Sequence, residues 1–234
     1  MERARWRDRR VVITGGTSGL GLALARALHA RGAKVGVVAR GRERIDALEA
    51  AHASIIGVVG DVGRKEDIHP IAMQLVGRLG GVDVLVNNAS SLGPVPLRPW
   101  ADTECEDLEV ALATNVLGPH RLTRALLGPL LESRAGVVIN VSSDAAVSAY
   151  AGWGAYSASK AALLHATKIW DEELRARGVR FGSFDPGDMD TPMHAQALPD
   201  ADASTLKRPE TSAAELIATV EALWSEARAS EVTR

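Results

Sequence analysis

Of the two tyrosines in the chain, one has a lysine four residues further on, in Tyr156-Ser157-Ala158-Ser159-Lys160. Four residues is about one helical turn, so both side chains leave the same face of a helix. An ammonium so placed favours the phenolate and draws down a pKa that is normally about 10. That predicts a proton donor and acceptor at Tyr156 working near neutrality. Tyr150 has Gly154 at the matching position and lacks such a cation. The preceding run Val138-Ile139-Asn140-Val141-Ser142-Ser143 belongs to the same chemical stretch.

A second constellation lies near the amino end. Val11-Val12-Ile13-Thr14 leads into Gly15-Gly16-Thr17-Ser18-Gly19-Leu20-Gly21 and then into an amphipathic stretch. Glycines let the chain turn tightly and let backbone N–H groups approach a pyrophosphate, whose charge a helix N-terminus favours. The strand before and the helix after supply the context this motif needs. A dinucleotide fold usually places Asp or Glu at the end of the second strand, on the ribose 2′-hydroxyl. Here that strand ends in Ala39-Arg40, with Arg42 following. A guanidinium can hold a 2′-phosphate that a carboxylate would repel. The expected cofactor is therefore NADP (NADPH), with NAD as the alternative should the two arginines be solvated loop residues.

Positioning these residues requires a regular scaffold. Apolar, β-branched runs at Val11–Thr14, Lys34–Ala39, Ile55–Val59, Val82–Val86, Val137–Val141 and Val179–Phe184 alternate with helical stretches at Gly19–Arg31, Arg42–His52, Lys65–Leu79, Thr103–Glu132, Tyr156–Arg177 and Thr211–Arg228. That alternation predicts an α/β fold, a single Rossmann-type doubly wound parallel sheet of six to seven strands with helices on both faces. Residues 1–234 read as one NAD(P)-binding domain. The densest turn chemistry falls at Leu92–Trp100 and Asp185–Asp202, each after a strand, where an open α/β sheet binds ligands.

Composition narrows the function. The chain has 234 residues, 46% hydrophobic and 24% charged, with a net charge of −2. These values exclude a wholly disordered chain and argue against non-specific binding to nucleic acid or an anionic membrane. No apolar run reaches the roughly 18 residues a membrane span needs. The lone Cys105 fits a cytoplasmic protein without disulfides, and the six histidines show no metal-ligand spacing. No Gly-x-Ser-x-Gly elbow surrounds Ser143, which disfavours a hydrolase. Arg3, Arg5, Arg7, Arg9 and Arg10, interrupted by Glu2 and Asp8, read as a solvated lead-in rather than a targeting peptide.

Taken together, the chain resembles the short-chain dehydrogenase/reductase family. The matching pieces are Thr14 to Gly21, Asp61-Val62, Asn87-Asn88-Ala89, Asn115, Ser143, Tyr156 to Lys160, and Pro186-Gly187 with Thr191, in the family's order over residues about 10 to 193. The resemblance implies that Tyr156 is the general acid in reduction and base in oxidation, and that Ser143 hydrogen-bonds the substrate oxygen. It implies that Lys160 holds the nicotinamide ribose and tunes Tyr156, while Asn115 helps anchor a water relaying protons to Lys160. Gly15, Thr17, Ser18, Gly19, Leu20 and Gly21 would cradle the phosphates, with Arg40 on the 2′-phosphate. Asp61 and Val62 would contact the adenine, Asn88 and Ala89 the adjacent ribose, and Pro186, Gly187, Met189 and Thr191 the nicotinamide. Plain alternatives stand beside three of these: Asp61 as a helix cap, Asn88 as a turn former, Asn115 as a residue bonded to a neighbouring carbonyl.

Two departures matter. Ser90 and Ser91 stand where the family commonly has glycine, and after the last helix only Ala229–Arg234 remain, so a seventh strand is either short, around Glu231–Thr233, or missing. Val147, Tyr150, Trp153, Met189, Met193 and His194 are expected on the substrate side, which suits an apolar ketone, aldehyde or secondary alcohol behind a small lid. A weaker likeness to sepiapterin reductases, through Ser91-Leu92-Gly93, Gly152-Trp153 and Asp190-Thr191, keeps pteridine side-chain carbonyls in view. A non-catalytic nucleotide-binding scaffold is the competing function, and the resemblance implies a homodimer or homotetramer.

Overall fold

Valine and isoleucine dominate the strands, where branching at Cβ suits a pleated surface covered on both sides. The computed structural model describes residues 5–52, 54–133 and 135–232. Its six strands are β1 (Arg10–Thr14), β2 (Lys34–Ala39), β3 (Ile55–Val59), β4 (Val84–Asn87), β5 (Gly136–Val141) and β6 (Val179–Phe184). All neighbouring pairs are parallel, in the order β3-β2-β1-β4-β5-β6. The chain thus steps outward from β1, crosses back to β4 and steps outward the other way. That reversal opens a crevice beyond the carboxyl ends of β1 and β4.

The main helices are α1 (Gly19–Ala30), α2 (Arg42–Ala51), α3 (Lys65–Leu79), α4 (Cys105–Leu112), α5 (Gly118–Glu132), α6 (Gly154–Leu174), α7 (Pro192–Ala197) and α8 (Pro209–Val232). Alternation along the strands divides the apolar residues between two cores. Val11, Ile13, Val84 and Ile139 pack with Leu20 and Leu24 of α1 and with Leu216 and Val220 of α8. Val12, Leu85, Val138 and Phe181 face the other way, onto Ile71 and Leu75 of α3 and Leu122 and Leu126 of α5. Between β4, β5 and α6 runs a buried polar seam. Asn87 Nδ2 donates to Asn140 Oδ1 at 2.8 Å, and Asn140 Nδ2 donates to Thr167 Oγ1 at 2.8 Å.

Two expectations need correcting. Thr103–Glu132 is not one helix, because a π-helical turn at Ala113–Leu117 separates α4 from α5. The α-helical donor to the Asn115 carbonyl would be the amide of residue 119, which is a proline and has no N–H. The lead-in is not simply solvated either. Trp6 is fully buried, its ring 4.7 Å from that of Trp224 and its Nε1 donating to Glu221 at 2.6 Å. The area of one indole outweighs its arginine neighbours, and Arg10 is itself anchored by Asp83 at 2.8 Å; Glu2 and Arg3 lie outside the described residues. Of the two readings offered for the carboxyl end, the described residues agree with the missing strand: Glu231 and Val232 continue α8, in a run of alanine and other good helix formers, and Thr233 lies outside the described residues. Among the described residues no helix is long and apolar enough to cross a membrane.

Candidate active site

Because the strands are parallel, every segment that leaves a carboxyl end emerges at the same edge of the sheet. Gly15 to Gly21 follow β1, Arg40 follows β2, Asp61 and Val62 follow β3, Asn88 and Ala89 follow β4, Ser143 follows β5 and Pro186 to Thr191 follow β6. The glycine turn is built for close approach. A Cβ on Gly21 would collide with the Gly15 carbonyl oxygen, and Gly19, at φ +47°, leaves its missing side chain's place to Thr191, whose Cγ2 would lie 3.1 Å from a Cβ there. The segment after β6 therefore faces the turn after β1. Ser18 occupies the N-cap of α1 without a side-chain capping bond, which leaves the first-turn amides to an anion in the cleft. Leu20 is buried, so its contribution there is its backbone.

Thr14 and Asn88 shape this turn. Thr14 Oγ1 accepts from the amides of Asn88 and Ala89, each at 3.0 Å, and Asn88 Nδ2 donates to the carbonyl of Thr14 at 2.8 Å and to that of Gly15 at 3.3 Å. The Asn88 amide is thus committed to the loop. Asp61 Oδ1 accepts from the Gly63 amide at 2.8 Å, and the Asp61 amide donates to Asp67 at 2.9 Å. Arg40 is exposed and has no ion-pair partner among the described residues. Pro186 is held from behind, its carbonyl accepting from Ser212 Oγ at 2.9 Å, and Met189 bridges to Lys207. Thr191 caps α7, accepting from the His194 amide at 3.2 Å.

Helix α6 brings Tyr156 and Lys160 together on one face. Lys160 is 2% exposed, its Nζ donating to the Val141 carbonyl at 2.7 Å and standing 5.5 Å from the centroid of the Tyr156 ring. The electrostatics reverse one expectation. Burial pushes the Tyr156 phenol up to about 12, aided by the carboxylates of Asp185 and Asp144 and opposed by a hydrogen bond with Ser143. Burial likewise pushes Lys160 down to about 8, against the pull of Asp185. The ammonium sits over the ring face and bonds a carbonyl, so desolvation wins over its influence on the phenol. The phenol consequently keeps its proton at neutral pH.

Asn115, in the π-helical turn, is 1% exposed. Its Oδ1 accepts from Ser90 Oγ at 3.1 Å and the Ser91 amide at 2.7 Å, and its Nδ2 donates to the Ser91 carbonyl and to Ser159 Oγ, both at 2.8 Å. Two acceptor and two donor positions exhaust a carboxamide. Of these four bonds only that from the Ser90 hydroxyl depends on the departure from glycine, since Ser91 contributes its main chain and Ser159 the last acceptor. The mouth of the site is completed by Asp144, which no sequence motif singles out. It accepts from Ser143 Oγ at 3.0 Å and from the Tyr150 hydroxyl at 2.7 Å. Adjacency to Ser143 is its only signal in the sequence, and adjacency says nothing of which way a carboxylate turns. Leu92, Ala145, Tyr156 and Ala197 form an apolar cluster there, with Leu97, Trp153 and Met193 against it.

Comparison with known proteins shows the family and the fold. The sequence profile for short chain dehydrogenases matches residues 9–202. The chain is 32% identical over 191 residues to 2-(R)-hydroxypropyl-CoM dehydrogenase of Xanthobacter autotrophicus, covering 80% of this chain and 76% of that protein. It is 35% identical over 191 residues to a short chain dehydrogenase of Pseudocercospora fijiensis, covering 79% of this chain but only 60% of that protein. Among solved structures, one from Escherichia coli CFT073 described as a short chain dehydrogenase complexed with NADPH superposes with a TM-score of 0.81 at 28% identity, covering 88% of this chain and 87% of that one.

Proposed function

Since the chain belongs to the short-chain dehydrogenase family, we propose that it is an NADP(H)-dependent oxidoreductase interconverting a ketone or aldehyde with an alcohol. The observation that carries this reading is the union, at one sheet edge, of a protonated phenol under the influence of Ser143, a buried lysine on the same helix face and a glycine turn facing Thr191. A nucleotide-binding scaffold has no need of the first two.

The residues fit a dinucleotide: the first-turn amides of α1 would hold its pyrophosphate, Arg40 a 2′-phosphate, and Thr191 with Pro186 and Gly187 its nicotinamide end. When bound, that cofactor supplies or accepts the hydride. Ser143 would donate a hydrogen bond to the substrate oxygen as negative charge develops on it. Tyr156 would deliver its proton to the same oxygen. Lys160, with a pKa of about 8, can exchange protons near neutrality and so restore the phenol. With the Asn115 carboxamide saturated, a relay water would be held by its main-chain carbonyl, which Pro119 deprives of its α-helical donor.

Tyr156→Phe should lower the rate of NADPH oxidation with an accepted ketone by about 10²–10⁴-fold, the usual contribution of general acid catalysis, while leaving NADPH affinity nearly unchanged by calorimetry. Unchanged turnover would refute the assigned acid. Arg40→Asp should erase a preference for NADPH over NADH in the same titrations. A structural relative complexed with NADPH supports that preference; equal affinity in the parent would overturn it. Exposed Trp100, Val110, Leu117 and Ile169 on and around α4 to α6 support a homo-oligomer.

A further inference from the structure

The Ser143 hydroxyl has one proton, for which a carboxylate competes with the Tyr156 phenol oxygen. It is given to Asp144 Oδ1, 3.0 Å away, while Asp144 Oδ2 is held by the Tyr150 hydroxyl at 2.7 Å. Ser143 Oγ also accepts from the Ala145 amide at 3.2 Å. In this arrangement the side chain meant to donate to a carbonyl oxygen is turned toward a carboxylate instead. A charged acceptor holds a hydroxyl more strongly than a neutral ketone does, so a plain ketone must compete with Asp144 for that proton.

A substrate carrying its own donor removes the competition. A carbonyl oxygen accepting from Ser143 would lie about 2.8 Å from Oγ, and Asp144 Oδ1 lies 3.0 Å from the same atom. A donor on the carbon next to the carbonyl carbon reaches Oδ1 from there. It replaces the bond that Ser143 gives up, so neither oxygen loses a partner. An ammonium does this best, because it also meets the carboxylate's charge; a hydroxyl does it less well, a methyl not at all, and a carboxylate is repelled. Asp185 and Asp188, whose charges act on the phenols of Tyr156 and Tyr150, reinforce the same preference. The apolar cluster of Leu92, Trp153 and Met193 beside Tyr156 is then left for the other substituent of the carbonyl.

We propose that Asp144, tethered by Tyr150, is a specificity-determining residue that selects ketones bearing an ammonium or hydroxyl on the adjacent carbon. This rests on the carbonyl-reductase reading above and refines its apolar substrate class.

Four aryl ketones test it: phenacylamine at mildly acidic pH, 2-hydroxyacetophenone, propiophenone and benzoylacetate, each reduced with NADPH by the parent enzyme, Asp144→Ala, Asp144→Asn and Tyr150→Phe. In the parent, kcat/KM should fall in that order, with ammonium over methyl by roughly three- to tenfold, as expected when one exposed, solvent-screened charged pair distinguishes them. In Asp144→Ala the ratio should collapse toward unity, with propiophenone reduced faster than by the parent because Ser143 is released. Asp144→Asn keeps the side chain's shape, so it answers if the alanine variant does not fold; there the ratio should drop severalfold. Tyr150→Phe should weaken it less. Propiophenone turnover with the same ratio in parent and Asp144 variants overturns this inference alone. Binding of NADPH with no reduction of any of the four ketones overturns the carbonyl-reductase reading, and this inference with it.

Discussion

An ammonium held away from water with one carbonyl as its hydrogen-bond acceptor is costly, and Lys160 is such a group. Its pKa of about 8 against an ordinary 10.5 means that the unfolded chain binds the extra proton between those pH values. Stability therefore rises with pH through that window. Relative to Lys160→Met, the parent should gain roughly 3 kcal/mol from below pH 8 to above pH 10.5, since each tenfold difference in proton affinity between the folded and unfolded chain contributes about 1.4 kcal/mol; the difference in urea unfolding measures it. A gap that stays flat would mean that the ammonium is better solvated than its burial suggests. Tyr156 acts in the opposite sense: its phenol, raised from 10 to about 12, favours the fold below pH 10 and loses that contribution as pH climbs to about 12, in parent and variant alike. The spacing of Tyr156 and Lys160 was enough to place both on one face. It could not give the sign of the pKa change, which depends on where Nζ points and how much water reaches it.

Among the elements, the strands were legible because both faces of a parallel sheet are covered and its strands become apolar runs; β2, β3 and β6 fall at their expected limits. The break in Thr103–Glu132 was not, although its cause is written in Pro119. Periodicity of apolar residues survives a single π-helical turn and so hides it. The asparagines that close β4 and interrupt β5 were also opaque, since sequence alone cannot show that Asn87 and Asn140 face each other across neighbouring strands. Asn140→Ala removes the acceptor for the Asn87 amide and the donor to Thr167. It should lower stability by ~1–3 kcal/mol, the cost of leaving buried polar groups without partners, seen as a lower urea midpoint at constant slope. Loss of much less would mean that Thr123, 3.4 Å from Asn87 Nδ2, takes over.

For the molecule as a whole, the order of strands was not legible, because nothing local to β4 says that it returns to lie beside β1. The clasp of Trp6 on Trp224 was missed for a related reason: contact between residues at the two ends of a sequence leaves no periodic trace. Trp6 also bonds Glu221, and Arg9 lies 4.8 Å over the Trp224 ring. Trp6→Ala should therefore cost roughly 3–5 kcal/mol, as for other buried aromatic deletions, with no change in substrate preference. Thermal unfolding beside steady-state assays would show both, and an unshifted midpoint would mean that the segment is an ornament. The placement of Trp153 has a different consequence. Its indole meets the Tyr156 ring edge-on, 5.7 Å between centroids, whereas Trp6 and Trp224 sit in the core between α1 and α8. Indole emission overlaps the near-ultraviolet absorption of a reduced nicotinamide, so the protein carries its own light meter for the filling of its cleft, and a second lamp, sealed in the apolar interior, for the melting of its core.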